Sequence, residues 1–532
     1  MIHYYRVALF LLLLHCCHIS SCPSQCQCFL GSKVMCSEER MNFLPTSLSP
    51  QARELIIITS GLTNIYPSSF QGSPQLTKLA IISNPLQFVS PLAFSGLTEL
   101  EELELSGNYR LESVELGTFE KLGNLTRLLL NNNKLLKLDK GLFDDLLKLE
   151  TLELRGNAFV WLPILLFRNL QNLHSLDLSM NKIVSVEAPL LSDLTQLQAL
   201  KLGHNQIGTL PSDMFKYVPG LKELSLQSNR ISKLSEGLFT ALTKLEELNL
   251  RYNQLTDVKA GTFPSSLKEL NLQGNQLASL SLGSLPLLTD LVLSKNSLVD
   301  LPSDLLGNLT SLEQLDLSEN QLSSFPATLF SGLSKLISVY LHKNNLTFLE
   351  ADLFQDQVDM ERLTLSENRL QNLPHGFFDP FLETRNVITL RGNPWNCDCN
   401  FTYLYTWLEF GGYLVEDLSR TYCKGPTALR GQSLVSVESD QLVCSYNSST
   451  TKPVPADSLQ PLDKETFPPN QANQCILQEN NGVYSVKCTV TKCSSLKIEA
   501  HIYGADGSTT DYVLNKEWSE SSCVNGTITL NV

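Results

Sequence analysis

The sequence predicts an α/β repeat solenoid with a parallel β-sheet on its concave face and disulfide-linked caps at both ends. Three observations predict this fold: an apolar pattern that recurs at a nearly constant step, a column of phenylalanines in phase with it, and cysteines confined to the two ends of the chain. The 532 residues carry 54 acidic and 40 basic side chains, a formal net charge of −14, and 42% are hydrophobic. Such a composition is globular, and its acidity argues against nucleic acid as a partner.

The repeated pattern is L-x-x-L-x-L-x-x-N-x-L, seen most plainly from Leu245 to Asn253. The step is mostly 24 residues, with shorter steps of 22 and 21 before Asn275 and Asn296, and a degenerate first copy has Ser60 in place of the asparagine. This is the leucine-rich repeat signature, which predicts a horseshoe of about 14–15 copies over residues 51–393. The repeat asparagines are Asn84, Asn108, Asn133, Asn157, Asn181, Asn205, Asn229, Asn253, Asn275, Asn296, Asn320, Asn344, Asn368 and Asn393.

Each part of the repeat has a physical role. The Leu-x-Leu alternation predicts a short strand with its leucines inward. The asparagine is expected to bond backbone groups that would otherwise be buried without a partner. One repeat cannot bury its own apolar face, so turns must stack and both ends need covers. The second apolar column is expected to stack as a spine behind the sheet: Phe94, Phe119, Phe143, Phe167, Phe215, Phe239, Phe263, Phe330 and Phe354.

The start of the chain has the features of a secretory signal peptide, predicted over residues 1–21. Arg6 precedes the apolar run from Val7 to Leu14, and the small residues Ser20 and Ser21 follow it. A membrane anchor is the competing interpretation, but the run is shorter than the roughly 20 residues that a span requires. We therefore expect a secreted, extracellular protein without a membrane anchor.

Twelve cysteines remain after residue 21, in three groups of four. The secretory route favours disulfides, and zinc clusters are disfavoured because no histidines lie nearby. Spacing alone leaves the pairing open. The groups mark an N-terminal cap over residues 22–50, a C-terminal cap over 394–445 and, after a Ser/Thr/Pro-rich linker over 446–473, a small β-rich module over 474–532. The cysteines are Cys22, Cys26, Cys28 and Cys36; Cys397, Cys399, Cys423 and Cys444; and Cys475, Cys488, Cys493 and Cys523.

Six Asn-x-Ser/Thr sequons are predicted acceptors of N-linked glycans on that route. They are Asn124, Asn308, Asn345, Asn400, Asn447 and Asn525.

No catalytic motif is present. The five histidines after residue 21 are isolated, and neither an H-E-x-x-H nor an H-x-x-E metal pair, a G-x-S-x-G elbow nor a phosphate-binding loop occurs. We expect no enzymatic activity, no cofactor and no metal site.

Binding is instead expected on the concave face, where the residues flanking the middle leucine of each strand point outward. Acids predominate there over Arg127, Arg155, Lys201 and Arg251, which favours a basic partner, although a merely solvated face is the competing interpretation. The candidate acids are Glu102, Glu104, Glu153, Asp177, Glu223, Glu247, Glu269, Asp290 and Asp316.

The caps resemble those of extracellular leucine-rich repeat proteins, through the spacing C-x3-C-x-C-x7-C from Cys22 and the segment from Asn393 to Cys399. By analogy, the resemblance implies the pairs Cys22–Cys28, Cys26–Cys36, Cys397–Cys423 and Cys399–Cys444.

The order of parts over residues 22–532 narrows the resemblance. With Cys475, the spacing from Cys488 to Cys493, and Trp518 before Cys523, the chain is similar to the non-catalytic large subunits of plasma carboxypeptidase N. This resemblance implies a glycoprotein of the circulation that binds and stabilises the catalytic zinc carboxypeptidase subunit in a hetero-oligomer. The alternative is a soluble recognition or growth-factor-carrier protein resembling the acid-labile subunit.

Overall fold

A computed structural model describes residues 22–29, 32–45, 48–67, 69–381 and 386–444, together with the backbone of five later strands. The predicted signal peptide and linker lie outside these residues. The chain divides into two compact units, residues 1–446 and 447–532. None of the helices in the described residues combines the length and the apolar character that a membrane span requires.

The first unit contains one long sheet and two short ones. Its strands are β1 (Cys26–Phe29), β2 (Lys33–Cys36), β3 (Glu54–Ile58), β4 (Asn64–Ile65), β5 (Lys78–Ile82), β6 (Phe88–Val89), β7 (Glu102–Glu104), β8 (Arg127–Leu129), β9 (Thr151–Glu153), β10 (Ser175–Asp177), β11 (Ala199–Lys201), β12 (Glu223–Ser225), β13 (Glu247–Asn249), β14 (Asp257–Val258), β15 (Glu269–Asn271), β16 (Ser279–Leu280), β17 (Asp290–Val292), β18 (Gln314–Asp316), β19 (Ser338–Tyr340), β20 (Arg362–Thr364) and β21 (Val387–Thr389).

The long sheet has 17 strands among the described residues. β1 pairs antiparallel with β2, and from β2 onward each strand pairs in parallel with the strand of the next turn, ending at β21. The short pairs β4–β6 and β14–β16 are also parallel. The β14–β16 pair joins the two turns whose steps are shortened. The predicted α/β repeat solenoid with a parallel sheet is confirmed.

The predicted phenylalanine spine forms in separate runs of stacked rings. Phe119, Phe143 and Phe167 stack with ring centroids 6.0 and 6.2 Å apart, and Phe215, Phe239 and Phe263 stack at 5.6 and 6.1 Å. The rings are buried with the inward leucines in one continuous core. Such offset aromatic contacts add to the burial of apolar area that drives neighbouring turns together.

The repeat asparagines form a buried ladder inside the solenoid, which we call the asparagine ladder. Asn229 is typical: its Nδ2 donates to the carbonyls of Leu202 and Leu226, both at 3.0 Å, and its Oδ1 accepts from the backbone N–H of Ile207 at 3.0 Å. Each amide thereby satisfies backbone groups of two turns. In the degenerate first copy, the hydroxyl and backbone N–H of Ser60 both donate to Asn84 Oδ1.

Disulfides hold both ends of the first unit. The structure joins Cys22 to Cys28, Cys26 to Cys36, Cys397 to Cys423 and Cys399 to Cys444, the pairs that the resemblance implies. The C-terminal cap contains one α-helix, α1 (Thr402–Gly411), whose buried Trp407 packs on Phe378 with ring centroids 4.4 Å apart. Short 3-10 helices complete the unit: Ala188–Leu191, Asp379–Phe381, Cys399–Phe401, Gly412–Leu414, Leu418–Arg420, Thr427–Leu429, Leu434–Ser436 and Ser439–Gln441.

The second unit is described only through its strands β22 (Gln474–Asn480), β23 (Val483–Thr489), β24 (Ile498–Tyr503), β25 (Thr509–Leu514) and β26 (Thr527–Asn531). β23 pairs antiparallel with β22 and β26, and β24 pairs antiparallel with β25. The backbone register places Cys475 opposite Cys488. Cys493 and Cys523 lie outside the described residues.

Candidate partner-binding surface

The concave face is built from strands of only three residues in most turns. In β12 the central Leu224 is fully buried, while Glu223 on one side of it points outward. This alternation follows from the two-residue period of a strand. The sheet therefore presents one column of side chains before the central leucine and a second column after it.

Four of the nine predicted acids occupy the first column on consecutive strands. The register aligns Glu223 with Glu247, Glu247 with Glu269, and Glu269 with Asp290, after which Gln314 ends the run. Neighbouring strands lie about 4.8 Å apart, so these carboxylates are close neighbours. We call Glu223, Glu247, Glu269 and Asp290 the acidic ladder.

The acidic ladder has one compensating cation, at its first member. Lys201 Nζ lies 3.2 Å from Glu223 Oε1. The part of the chain that the structure describes holds no ion pair to Glu247, Glu269 or Asp290. Burial, and then the charges of Glu247 and Asp290, raise the pKa of Glu269 above its ordinary value. Carboxylates at this spacing repel each other, and the repulsion favours binding of a proton or of a cationic group.

The floor of this surface is a shallow cavity of about 230 Å³. Asn249 and Asn271, in the second column, line it together with the acidic ladder. The two side-chain oxygens accept backbone N–H groups two residues further on, from Arg251 at 3.2 Å and Gln273 at 3.1 Å. These two amides were not among the sequence-based predictions, although they recur in phase with the repeat.

The other predicted acids lie apart from the acidic ladder, and most have local partners. Glu102 pairs with Lys78 at 2.9 Å, and Glu153 accepts from Asn131 Nδ2 at 2.6 Å. Asp177 and Asp316 each accept the backbone N–H two residues on, at 2.8 and 3.0 Å. Such Asx turns use the carboxylate to cap the end of its own strand. Glu104 stands outward on β7 without an ion pair in the described residues.

Two histidines of the described residues have local side-chain contacts. His342 is half-buried, its Nδ1 lies 3.0 Å from Thr364 Oγ1, and burial lowers its pKa. His375 packs against Tyr403 with ring centroids 5.1 Å apart. Among the residues that the structure describes, no three His, Cys, Asp or Glu side chains are grouped so as to hold a metal ion.

The repeats of the chain match a known family. The leucine-rich repeat model matches residues 50–109, 100–159, 162–207, 195–255, 219–277 and 286–341, together over half of the chain. The chain belongs to the leucine-rich repeat family.

Within that family, two curated relatives are Carboxypeptidase N subunit 2 from Mus musculus and from Homo sapiens. The chain is 32% identical to the mouse protein over 155 residues and 34% identical to the human protein over 153. The matches cover 28% and 27% of this chain and the same shares of the relatives, so they span little more than a quarter of the relatives' length. The resemblance to the carboxypeptidase N type of leucine-rich repeat protein is confirmed.

Solved structures share the solenoid. A complex of TLR13 with the RNA ssRNA13 aligns with a TM-score of 0.64 at 26% identity, covering 73% of this chain and 57% of that chain. A leucine-rich repeat protein of Leptospira interrogans aligns with a TM-score of 0.52 at 27% identity, covering 63% and 89%.

Proposed function

We propose that this chain is a secreted, non-catalytic subunit that binds and stabilises a catalytic zinc carboxypeptidase subunit in an extracellular hetero-oligomer. Its similarity to Carboxypeptidase N subunit 2 supports the type of assembly. The acidic ladder carries the proposal for the contact surface, because it is a run of carboxylates on the concave face whose one ion pair, within the described residues, is at Glu223.

The physical basis of the proposed contact is charge complementarity. A lysine or arginine of the partner placed between Glu247 and Glu269 replaces repulsion between carboxylates by charge-assisted hydrogen bonds. Burial is the first cause of the raised pKa of Glu269, and the neighbouring carboxylates of Glu247 and Asp290 add to it. A concave surface of one sign also steers an oppositely charged partner and accelerates association, with the gain falling as ionic strength rises.

We also propose the division of the chain into a signal peptide, two caps around the repeats, a linker and a four-cysteine module. N-linked glycans at the sequons are part of the same proposal. Of the sequons in the first unit, Asn308 and Asn400 have exposed side chains. The side-chain amide of Asn124 forms two hydrogen bonds: its Nδ2 donates to the Thr98 carbonyl at 2.9 Å, and its Oδ1 accepts from Lys148 Nζ at 2.8 Å. We expect fuller glycan occupancy at Asn308 and Asn400 than at Asn124.

The test begins with affinity capture of the native protein from plasma. The eluate is assayed for release of C-terminal lysine or arginine, with and without a zinc chelator. We expect chelator-sensitive activity carried by a separate, smaller chain and no activity in the purified protein alone. An eluate without activity, or one enriched in a growth-factor complex, would favour the carrier alternative and overturn the proposal.

A pair of charge-reversal variants then tests the contact surface. Glu247→Lys, at the centre of the acidic ladder, should weaken binding of the captured subunit about tenfold or more. Glu104→Lys reverses an outward, half-buried acid on β7, outside the acidic ladder, and should change binding less than about twofold. Equal losses in both variants would indicate a general effect of net charge and remove the acidic ladder from the interface.

A further inference from the structure

A second surface stands out on the edge of the solenoid, where the chain leaves the sheet. Leu136, Val160, Trp161 and Val184 are all exposed there, Leu136 by 57% and Trp161 by 60%. We call these four residues the edge patch. A tryptophan left this open to water is unusual, because its large apolar surface gains most from burial. Trp395 and Trp407, in contrast, are buried in the C-terminal cap.

The edge patch crosses three stacked turns: three of its side chains occupy equivalent positions, and Trp161 directly follows the middle one. Leu136, Val160 and Val184 each stand three residues after a ladder asparagine. The turns are in contact here: the Val184 N–H donates to the Val160 carbonyl at 3.2 Å, and the Ala158 N–H donates to the Leu135 carbonyl at 2.9 Å. An exposed apolar stripe with a tryptophan in its middle turn has the composition of an interface hot spot.

Charge is distributed unequally around the edge patch. Lys134 and Lys182 each follow a ladder asparagine directly, and Arg155 stands two residues before one, so all three lie toward the sheet. Within the described residues none of these cations has an ion pair. On the other flank lie Asp139, which pairs with Lys137 at 3.5 Å, and Glu187. A basic margin is therefore set against an apolar stripe in a chain of net charge −14.

We propose that the edge patch is a docking surface for a protein segment that carries large apolar side chains beside a row of carboxylates. The apolar side chains cover Trp161 and its neighbours, and the carboxylates meet Lys134, Arg155 and Lys182. Charge complementarity at the margin sets orientation and partner choice, while burial of the stripe supplies affinity. The surface is separate from the acidic ladder in position and opposite to it in sign.

Two observations favour a protein segment over an anionic membrane. The carboxylate of Glu187, which has no ion pair within the described residues, borders the stripe on its outer side and would repel an anionic lipid surface that approached both flanks at once. The stripe also spans only three turns. The lack of a glycan site is a separate point and does not distinguish the two occupants. No Asn-x-Ser/Thr sequon lies between residues 125 and 307, so an N-linked glycan cannot be attached within this stretch.

The test uses the full-length protein in a Trp518→Phe background, so that Trp161 dominates the change in tryptophan emission. Three peptides of about 18 residues share one helical apolar stripe, with glutamate, glutamine or lysine at the flanking positions. We expect the glutamate peptide to bind best, about tenfold more tightly than the lysine peptide, and to shift the Trp161 emission to shorter wavelength. In the double variant Lys134→Glu/Lys182→Glu, the order of affinities should reverse, so that the lysine peptide binds best.

A matched pair of leucine variants tests the position of the surface: Leu136 lies in the edge patch, and Leu147, equally exposed in the same turn, is the control. Leu136→Ala should weaken binding of the glutamate peptide about fivefold, whereas Leu147→Ala, outside the edge patch, should leave it unchanged. Equal binding of all three peptides, or an unchanged order in the charge-reversal variant, would overturn the proposal. So would preferential binding to phosphatidylserine vesicles, or self-association of the protein that Trp161→Ala abolishes.

Discussion

The asparagine ladder and the acidic ladder follow the same sheet with nearly the same period, yet their energetics are opposite. Asn229 is buried, and its amide bonds three backbone groups of neighbouring turns. Glu269 lies on the outward face, level with Glu247 and Asp290 on the two neighbouring strands. Burial, and then these two charges, raise its pKa. The first ladder satisfies groups that folding would otherwise leave unpaired. The second leaves charge unsatisfied on the surface.

This difference separates positions that make the fold from positions that serve binding. Every turn needs the same solution for its buried backbone, so the asparagine recurs from Asn84 to Asn393. No equivalent requirement acts on an outward residue, so the first column varies from Lys78 through Glu269 to Val387. Like charges on neighbouring strands lower the stability of the sheet. Folding does not require them at these positions, because other residue types occupy the same column in other turns.

The largest expected effect comes from breaking the asparagine ladder. Asn229→Ala removes two donors to buried carbonyls and the acceptor for the Ile207 N–H. Because a buried polar group without a partner costs about 1–3 kcal/mol, we expect the free energy of unfolding to fall by roughly 2–4 kcal/mol. Denaturant unfolding followed by circular dichroism measures it.

Asn249→Ala is the matched control, because its half-buried side chain lies on the surface and accepts a single N–H, that of Arg251. We expect it to cost less than about 1 kcal/mol. If the two alanine variants were equally stable, the interior amide would have no special role, and the distinction between the two ladders would fail.

The sequence predicted the interior better than the surface. A period near 24 residues is enough to place Leu224 inward, Asn229 in its ladder and Phe239 in the spine, because stacking forces equivalent positions together. It also placed all nine acids on the outward face. What spacing does not encode is local bonding: Asp177 and Asp316 bond their own turns, which depends on side-chain rotamers.

Two surface features were within reach of the sequence and were missed. Lys78 falls in the same column as Glu102 one turn earlier, and alignment of the columns would have revealed their ion pair. Likewise, Leu136, Val160 and Val184 of the edge patch lie at a fixed offset from the ladder asparagines, so the sequence offered their position but not their exposure. Only solvent exposure distinguishes Val160 from the adjacent, fully buried Phe159.

An intermediate effect on stability is expected next to the asparagine ladder, at Gly274. Gly274 directly precedes Asn275 and has a φ of +69°, and a Cβ built there lies 2.3 Å from the ring of Tyr252. Gly274→Ala should therefore cost about 1–2 kcal/mol through left-handed backbone strain, with displacement of the Tyr252 ring. Thermal unfolding provides the measurement, and Gly123→Ala, where a Cβ meets nothing within 4 Å, is the control. A variant as stable as the parent would show that the ring yields freely and that the backbone tolerates alanine.

The smallest expected effect tests the acidic ladder itself, through Glu269→Gln. Because burial and neighbouring carboxylates raise the pKa of Glu269 in the folded chain, the folded state holds a proton more readily than the unfolded state. Ionised Glu269 therefore costs stability at neutral pH, and the cost disappears as pH falls through the raised pKa toward the unfolded value of about 4.3. Glu269→Gln should be more stable than the parent at pH 7, by about 0.2–1 kcal/mol, with the gap closing in acid.

Glu246 supplies the opposite sign one strand away. Its hydrogen bond and charge interaction with Lys268 lower its pKa, so its contribution to stability is present above the unfolded pKa and is lost as pH falls. Glu246→Gln should be less stable than the parent at pH 7 and converge with it in acid, as measured by thermal unfolding across this range. Two glutamine variants that shifted stability in the same direction would show that total charge, and not the position of each carboxylate, governs this face.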